Sequence, residues 1–103
     1  MHHEELDFVE GWREITRTQH AAGATMVLAP GTSEGGRNNL HPANDQWIYV
    51  VAGEGAAIVQ DEKHMLRPGV LLLVERGETH EIRNTGSAPL QTLSVYVPPL
   101  TGE

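Results

Sequence analysis

Seven short segments rich in β-forming residues run along this sequence, and turn-forming residues divide most of them from one another. The segments read WREITRT, TMVLA, QWIYVVA, AAIVQ, VLLLV, HEIRN and LQTLSVYV, and the breaks read PGTSEGG, GEG, RPG, ERGE and NTGSAP. Frequent turn signals between short strands are typical of an all-β sandwich or barrel. No stretch from 40 to 100 has a convincing helical period, so the sequence predicts an all-β fold.

The length of the chain predicts one domain. With 103 residues, the chain can bury roughly two-thirds of the surface that its unfolded form exposes, which is enough for one core. Residues 1–10 are acidic and poorly patterned, and they are interpreted as an N-terminal arm or an edge strand. Residues 11–103 are predicted to form a single β-barrel domain.

Charge and composition argue against several classes of partner. The formal net charge is −7, from 14 acidic and 7 basic side chains, so nucleic acid and anionic membranes should be repelled. The absence of cysteine excludes disulfides and thiolate metal sites. No apolar run approaches the roughly 18 residues of a membrane span, and MHHEELD lacks the features of a signal peptide. We therefore expect a cytoplasmic protein.

Alternation assigns two faces to the segment QWIYVVA. Gln46, Ile48 and Val50 point one way, and Trp47 and Tyr49 point the other. Both faces are largely apolar, so one can line a barrel interior while the other needs a cover. A second sheet, the N-terminal arm or another subunit could provide it. The short chain favours a subunit, which predicts a homodimer that buries Trp47 and Tyr49.

Four polar residues can meet inside such a barrel. If a strand begins at Asn39, then Asn39 and His41 share a face, and that face can also carry Gln46 on the neighbouring strand. His80 lies on the late segment HEIRN, with Ile82 on the same face. Neutral imidazole nitrogens and amide oxygens are suitable ligands for a divalent metal. Periodicity permits this convergence without proving it.

The order of these residues resembles the two motifs of the cupins, small β-barrels of the jelly-roll or double-stranded β-helix type. The first motif runs HxH, three or four residues, E, six residues and G, and residues 39–53 read NLH, PAND, Q, WIYVVA and G. The second runs G, about five residues, PxG, two residues, H, three residues and N. Residues 69–84 read G, VLLLV, ERG, ET, H, EIR and N. The motifs and the strands joining them cover about residues 36–98.

The resemblance implies a metal site with altered ligands. By position the ligands become Asn39, His41, Gln46 and His80, where the family usually has three histidines and one glutamate. Glutamine keeps a carbonyl oxygen but removes a negative charge, so metal affinity should fall. Asn39 is shorter than histidine and would reach the metal through water. The expected cofactor is Fe, Mn, Ni or Zn.

Three functions remain open from the sequence. The resemblance implies a metal-dependent enzyme of dioxygenase, isomerase or decarboxylase type acting on a small oxygenated molecule, and fold alone does not choose among them. The alternative is a non-catalytic cupin that binds a small molecule without a metal. The third is a cupin that serves through oligomerisation alone. Arg37, as an anion clamp near the barrel mouth, and Ile48, in the barrel lining, are the predicted substrate contacts.

Other polar residues receive weaker roles. Asp45 could replace the lost anion, but on a strand it should point away from Gln46. Asn84 is interpreted as a strand-end or turn residue. His20 and His64 are expected in exposed segments without a function. No catalytic acid can be named, because the carboxylates considered fall near turns or at outward positions: Glu54, Glu75, Glu78 and Glu81.

Overall fold

The computed structural model describes residues 1–40 and 43–100, and for residues 37–40 it describes the backbone alone. This part of the chain forms nine strands and no helix, so no helix in it could cross a membrane. The strands are β1 Gly11–Arg17, β2 Ala22–Leu28, β3 Ser33–Leu40, β4 Asp45–Ala52, β5 Gly55–Val59, β6 Glu62–Leu66, β7 Leu71–Val74, β8 Thr79–Asn84 and β9 Leu90–Val97.

The strands form two antiparallel sheets. The five-stranded sheet has the order β1-β2-β9-β4-β7, and the four-stranded sheet has the order β3-β8-β5-β6. Since neighbours such as β4 and β9, or β3 and β8, are distant in sequence, the sheets are held by long-range pairing. The prediction of an all-β fold is confirmed.

The core lies between the inner faces of the two sheets. In β4, Gln46, Ile48 and Val50 are buried, whereas Trp47 and Tyr49 are exposed, which confirms the two faces assigned by alternation. Burial of the apolar side chains stabilises the fold by about 25 cal/mol for each Å² removed from water. The buried core residues are Met26, Leu28, Ile48, Val50, Ala57, Val59, Leu66, Val74, Ile82 and Leu90.

The prediction of a break at PGTSEGG is wrong in part, because β3 begins at Ser33 and includes Gly35 and Gly36, two of the three glycines of this stretch. Pairing with β8 outweighs the low β-propensity of glycine, and Gly36 lies directly opposite His80. Gly35 has a φ of 86°, a left-handed conformation that favours glycine. The register then shifts between Gly36 and Leu40, which marks a β-bulge or irregularity in β3.

Candidate functional site

A cavity of about 290 Å³ opens between the two sheets. Its described walls come from β1, β2, β3, β4, β8 and β9 and from the segment after β9. We call the three buried polar side chains Gln46, His80 and Tyr96 the floor, and the two exposed side chains Trp12 and Glu34 the rim. The lining residues are Trp12, Met26, Glu34, Gln46, His80, Ile82, Tyr96 and Leu100.

The structure brings together Gln46 and His80, two of the four predicted ligands. Each side chain lines the cavity and is 5% exposed. Gln46 lies opposite Tyr96 on β9, and His80 lies opposite Val59 on β5. Directly opposed residues share a face of an antiparallel sheet, and the two partners, Tyr96 and Val59, are buried. Gln46 and His80 therefore point inward as well. Their convergence therefore follows from strand register in two separate sheets.

The amide of Gln46 has a defined orientation. Its Nε2 donates hydrogen bonds to Ser94 Oγ at 3.2 Å and to Tyr96 Oη at 3.1 Å. Its Oε1 is buried and accepts no hydrogen bond from the residues that the structure describes. Leaving a buried carbonyl oxygen unpaired costs about 1–3 kcal/mol, so this atom is a place where an added donor or cation would bind favourably.

The hydroxyl of Tyr96 joins the floor to the rim. Trp12 Nε1 donates to Tyr96 Oη at 3.1 Å, and the two rings meet edge to face, with centroids 6.3 Å apart and planes at 65°. Burial raises the pKa of Tyr96, the hydrogen bond from Trp12 lowers it, and the nearby charge of Glu34 raises it further. Because the net shift is upward, the phenol is protonated at neutral pH.

Glu34 is a cavity residue that the sequence did not reveal. It lies on β3 opposite the buried Ile82, so its side chain projects from the inner face of the four-stranded sheet, toward the cavity side. Sequence analysis placed Glu34 in a break and therefore assigned it no face. The signal that finds it is the register of β3 with β8, which depends on the folded structure. Trp12 was missed because its contact with Tyr96, 84 positions away in the sequence, also depends on the folded structure.

Three of the remaining predicted site residues fall where the structure describes no side chain. His41 lies outside the described residues, and Asn39 and Arg37 lie on β3 with side chains outside the description. Among residues 1–40 and 43–100, no three His, Cys, Asp or Glu side chains form a potential metal-binding group. Ile48 is 0% exposed in the core, on the inner face of β4, and its contact with a substrate stays a prediction.

Other polar residues lie outside the cavity lining. Asp45 accepts hydrogen bonds from the Arg76 side chain at 3.1 and 3.2 Å and from its backbone N–H at 2.9 Å. These contacts lower the pKa of Asp45 and fix it away from the floor. His64 Nε2 lies 3.7 Å from Glu62, and His20 is exposed. None of these side chains lines the described cavity.

Asn84 stabilises a turn, as the sequence predicted. Its Nδ2 donates to the carbonyl oxygens of Leu28 at 2.8 Å and Ala88 at 2.9 Å. Its Oδ1 accepts from the N–H of Gly86 at 2.9 Å. Asn84 is 4% exposed, so these hydrogen bonds satisfy polar groups that the fold buries.

Comparisons with known proteins agree with the architecture. The family model of the cupin domain matches residues 24–96. An oxalate-binding protein of Thermotoga maritima is 31% identical over 74 residues, which cover 72% of this chain and 60% of that protein. The chain spans only 53% to 60% of the length of three curated relatives that it matches.

Two solved structures share the fold over most of the chain. The protein BH2720 of Bacillus halodurans has a TM-score of 0.82 and 26% identity, and the likeness covers 91% of this chain and 74% of that one. An uncharacterised protein of Klebsiella pneumoniae with a double-stranded β-helix domain has a TM-score of 0.78 and 21% identity, covering 86% and 76% of the two chains. The predicted jelly-roll or double-stranded β-helix architecture is therefore confirmed.

Proposed function

This chain belongs to the cupin family, and we propose that it binds a small oxygenated molecule in the cavity beside a divalent metal ion. The observation that carries this proposal is the buried Oε1 of Gln46, which lines the cavity and lacks a hydrogen-bond partner among the described residues. A relative named as an oxalate-binding protein supports a small oxygenated ligand. Dioxygenase, isomerase and decarboxylase reactions remain the proposed classes.

The side chains present fit such a metal. Gln46 offers a carbonyl oxygen and His80 an imidazole, and both are buried in the same cavity. His41 and Asn39 complete the set implied by the cupin motif. A neutral set of nitrogen and oxygen donors suits Fe, Mn, Ni or Zn. When bound, the metal would supply Lewis acidity to an oxygen atom of the ligand.

The neighbouring residues prepare this site. Ser94 and Tyr96 accept both hydrogen bonds from the Gln46 amide nitrogen, which fixes the amide and leaves its oxygen without a partner among the described residues. Met26 and Ile82 provide apolar walls beside these polar groups. An apolar lining with a few fixed polar groups is the usual composition of a small-molecule site, because it removes water and orients the ligand.

Metal content tests the proposal directly. The protein is purified without nickel resin, with His2 and His3 replaced by alanine in every sample, and is then reconstituted with Fe, Mn, Ni or Zn. Elemental analysis should find close to one equivalent of one metal, and His80→Ala and Gln46→Ala should lose it. The matched control His64→Ala removes a histidine outside the cavity and should retain the metal. Less than about a tenth of an equivalent with all four metals would refute the metal part of the proposal.

The second candidate is a cupin that binds its ligand without a metal. The neutral amide of Gln46 favours it, because an uncharged oxygen attracts a divalent cation less than the family's carboxylate does. In that case Oε1 would accept a hydrogen bond from the ligand. A chelator distinguishes the two candidates, since ligand binding that persists in excess EDTA needs no metal.

We further propose that a second copy of the chain covers the outer face of the five-stranded sheet. Trp47 is 42% exposed and Tyr49 is 44% exposed on this face. Val95 lies opposite Trp47 and Leu71 lies opposite Tyr49, so these residues form one continuous apolar surface. Such surfaces are typical of subunit interfaces.

Sedimentation velocity over a range of concentrations tests the homodimer. The native chain should sediment as a dimer, and Tyr49→Glu should convert it to a monomer, because a carboxylate would be buried in the interface. Met65→Glu is the matched control, since Met65 is 64% exposed on β6 of the other sheet. A native chain that remains monomeric at about 100 μM would exclude the stable dimer.

A further inference from the structure

One wall of the cavity lies outside the stretch that matches the cupin family. The match begins at residue 24, whereas Trp12 lies on β1, which spans Gly11–Arg17. Trp12 lies opposite Met26 on β2, and both residues line the cavity. The properties that Trp12 gives to the cavity therefore come from this chain's own N-terminal strand.

Trp12 and Tyr96 form an aromatic corner. The hydrogen bond from Trp12 Nε1 to Tyr96 Oη and the 65° angle between the rings fix one ring relative to the other. The Trp12 side chain lines the cavity while the residue stays 42% exposed, so it is accessible to a ligand that enters. Aromatic faces carry negative partial charge, and they attract organic cations that lie within about 6 Å of the ring centroid.

The charge at the rim also favours an organic cation. Glu34 is the one carboxylate among the described lining residues, and those residues include no lysine or arginine. Glu34 lines the same cavity as Trp12 and Tyr96, so the carboxylate and the aromatic corner face one ligand-sized space. An aromatic corner beside a carboxylate is a combination that recognises ammonium groups, through cation–π attraction and direct charge pairing.

We propose that the rim of this cavity, Trp12 and Glu34 with the ring of Tyr96, binds the ammonium group of a small organic cation. This inference rests on the proposed function, because it names the chemical class of the ligand that enters the same cavity. The volume of about 290 Å³ is at the lower end for ligand sites, so the ligand is a small molecule. Its ammonium end lies at the rim, and its remaining polar atoms face Gln46 and His80.

The test compares two probes of nearly the same shape, choline and the uncharged 3,3-dimethylbutan-1-ol. The chain has two tryptophans, so Trp47→Phe leaves Trp12 as the single tryptophan, whose fluorescence is excited selectively. Titration of this variant in EDTA should give saturable binding of choline that is at least about tenfold tighter than binding of the alcohol. The permanent charge of choline makes the comparison independent of ligand protonation.

Substitutions at the rim locate the effect. Glu34→Gln keeps the size of the side chain and should weaken choline binding about tenfold, without a comparable effect on the alcohol. Glu75→Gln removes the same charge from an exposed residue outside the cavity lining and should leave binding unchanged. Trp12→Leu, followed by calorimetry, should also reduce the preference for choline. Circular dichroism establishes that each variant is folded.

Equal affinity for both probes, or no binding of choline, would overturn the inference. Metal content, measured separately, distinguishes this failure from failure of the proposed function. A protein that takes up metal at Gln46 and His80 but does not prefer choline keeps the proposed function and lacks the ammonium site. Choline binding without metal uptake would support the ammonium site and refute the metal part of the proposed function.

Discussion

The hydrogen bond between Trp12 and Tyr96 should be measurable as a coupling energy for unfolding. The perturbation is a double-mutant cycle of Trp12→Phe, Tyr96→Phe and the double variant. Each substitution removes one polar group and keeps an aromatic ring. The cycle therefore isolates the hydrogen bond that ties β1 to the floor of the cavity, together with any change in the edge-to-face contact.

The expected magnitudes follow from burial and hydrogen-bond partners. Tyr96 is 4% exposed, and its hydroxyl accepts from both Trp12 and Gln46. Tyr96→Phe should therefore cost about 1–3 kcal/mol, because it deprives the buried Gln46 amide of one acceptor. The Trp12 indole is partly exposed, so water replaces its lost partner. The coupling energy should be about 0.5–1.5 kcal/mol, the range for one neutral hydrogen bond.

Urea denaturation followed by far-ultraviolet circular dichroism measures the four free energies of unfolding, at a single protein concentration so that association does not differ. The control cycle pairs Tyr96→Phe with Met65→Leu, since Met65 is 64% exposed on β6 of the other sheet and lies outside the proposed dimer interface. That cycle should be additive. A coupling below about 0.3 kcal/mol for Trp12 and Tyr96 would refute the hydrogen bond as a stabilising link in solution.

Three further predictions concern the frame of the barrel. Gly55→Ala should destabilise strongly, because its Cβ would overlap the backbone carbonyl oxygen of Arg83. The control Gly36→Ala meets no atom of the described part of the chain within 4 Å, and denaturation measures both variants. Asn84→Ala should cost about 2–4 kcal/mol in the same assay, because it leaves buried backbone groups without partners. The pKa of Asp45, followed by carboxyl NMR, should lie below its ordinary value and rise in Arg76→Gln; the associated stabilisation should be lost as pH falls through the lowered pKa.

The fold could be predicted largely from alternation and turn signals, whereas β3 could not. The alternation in β4 placed Ile48 inside and Trp47 outside correctly, because a period of two is a local property of the chain. In β3, by contrast, Gly35 and Gly36 suggest a turn, and pairing with β8 makes this stretch a strand. The sequence of β3 alone does not reveal that β8 will pair with it and stabilise it as a strand.

The candidate site divides in the same way. Gln46 and His80 were predicted to lie together because the cupin motifs fix their spacing, and both line one cavity. Glu34, Trp12 and Tyr96 belong to no such motif. Their proximity depends on the register of three strand pairs, β1 with β2, β2 with β9 and β3 with β8. For Ile48, alternation gave the inward direction, but it could not tell how deep in the core the side chain would lie.

The polar groups of the cavity also explain why glutamine is suited to position 46. Tyr96 Oη already accepts a hydrogen bond from Trp12, and it accepts a second from the Gln46 amide. A glutamate has no N–H to donate there, so the hydroxyls of Tyr96 and Ser94 would both have to turn and donate to it. The chain thus keeps a neutral donor on the floor and places a carboxylate at the rim, on the opposite sheet. We therefore expect positive charge on a ligand to be favoured at Glu34, and a hydrogen-bond donor or a weakly held cation to be favoured at the buried amide oxygen of Gln46.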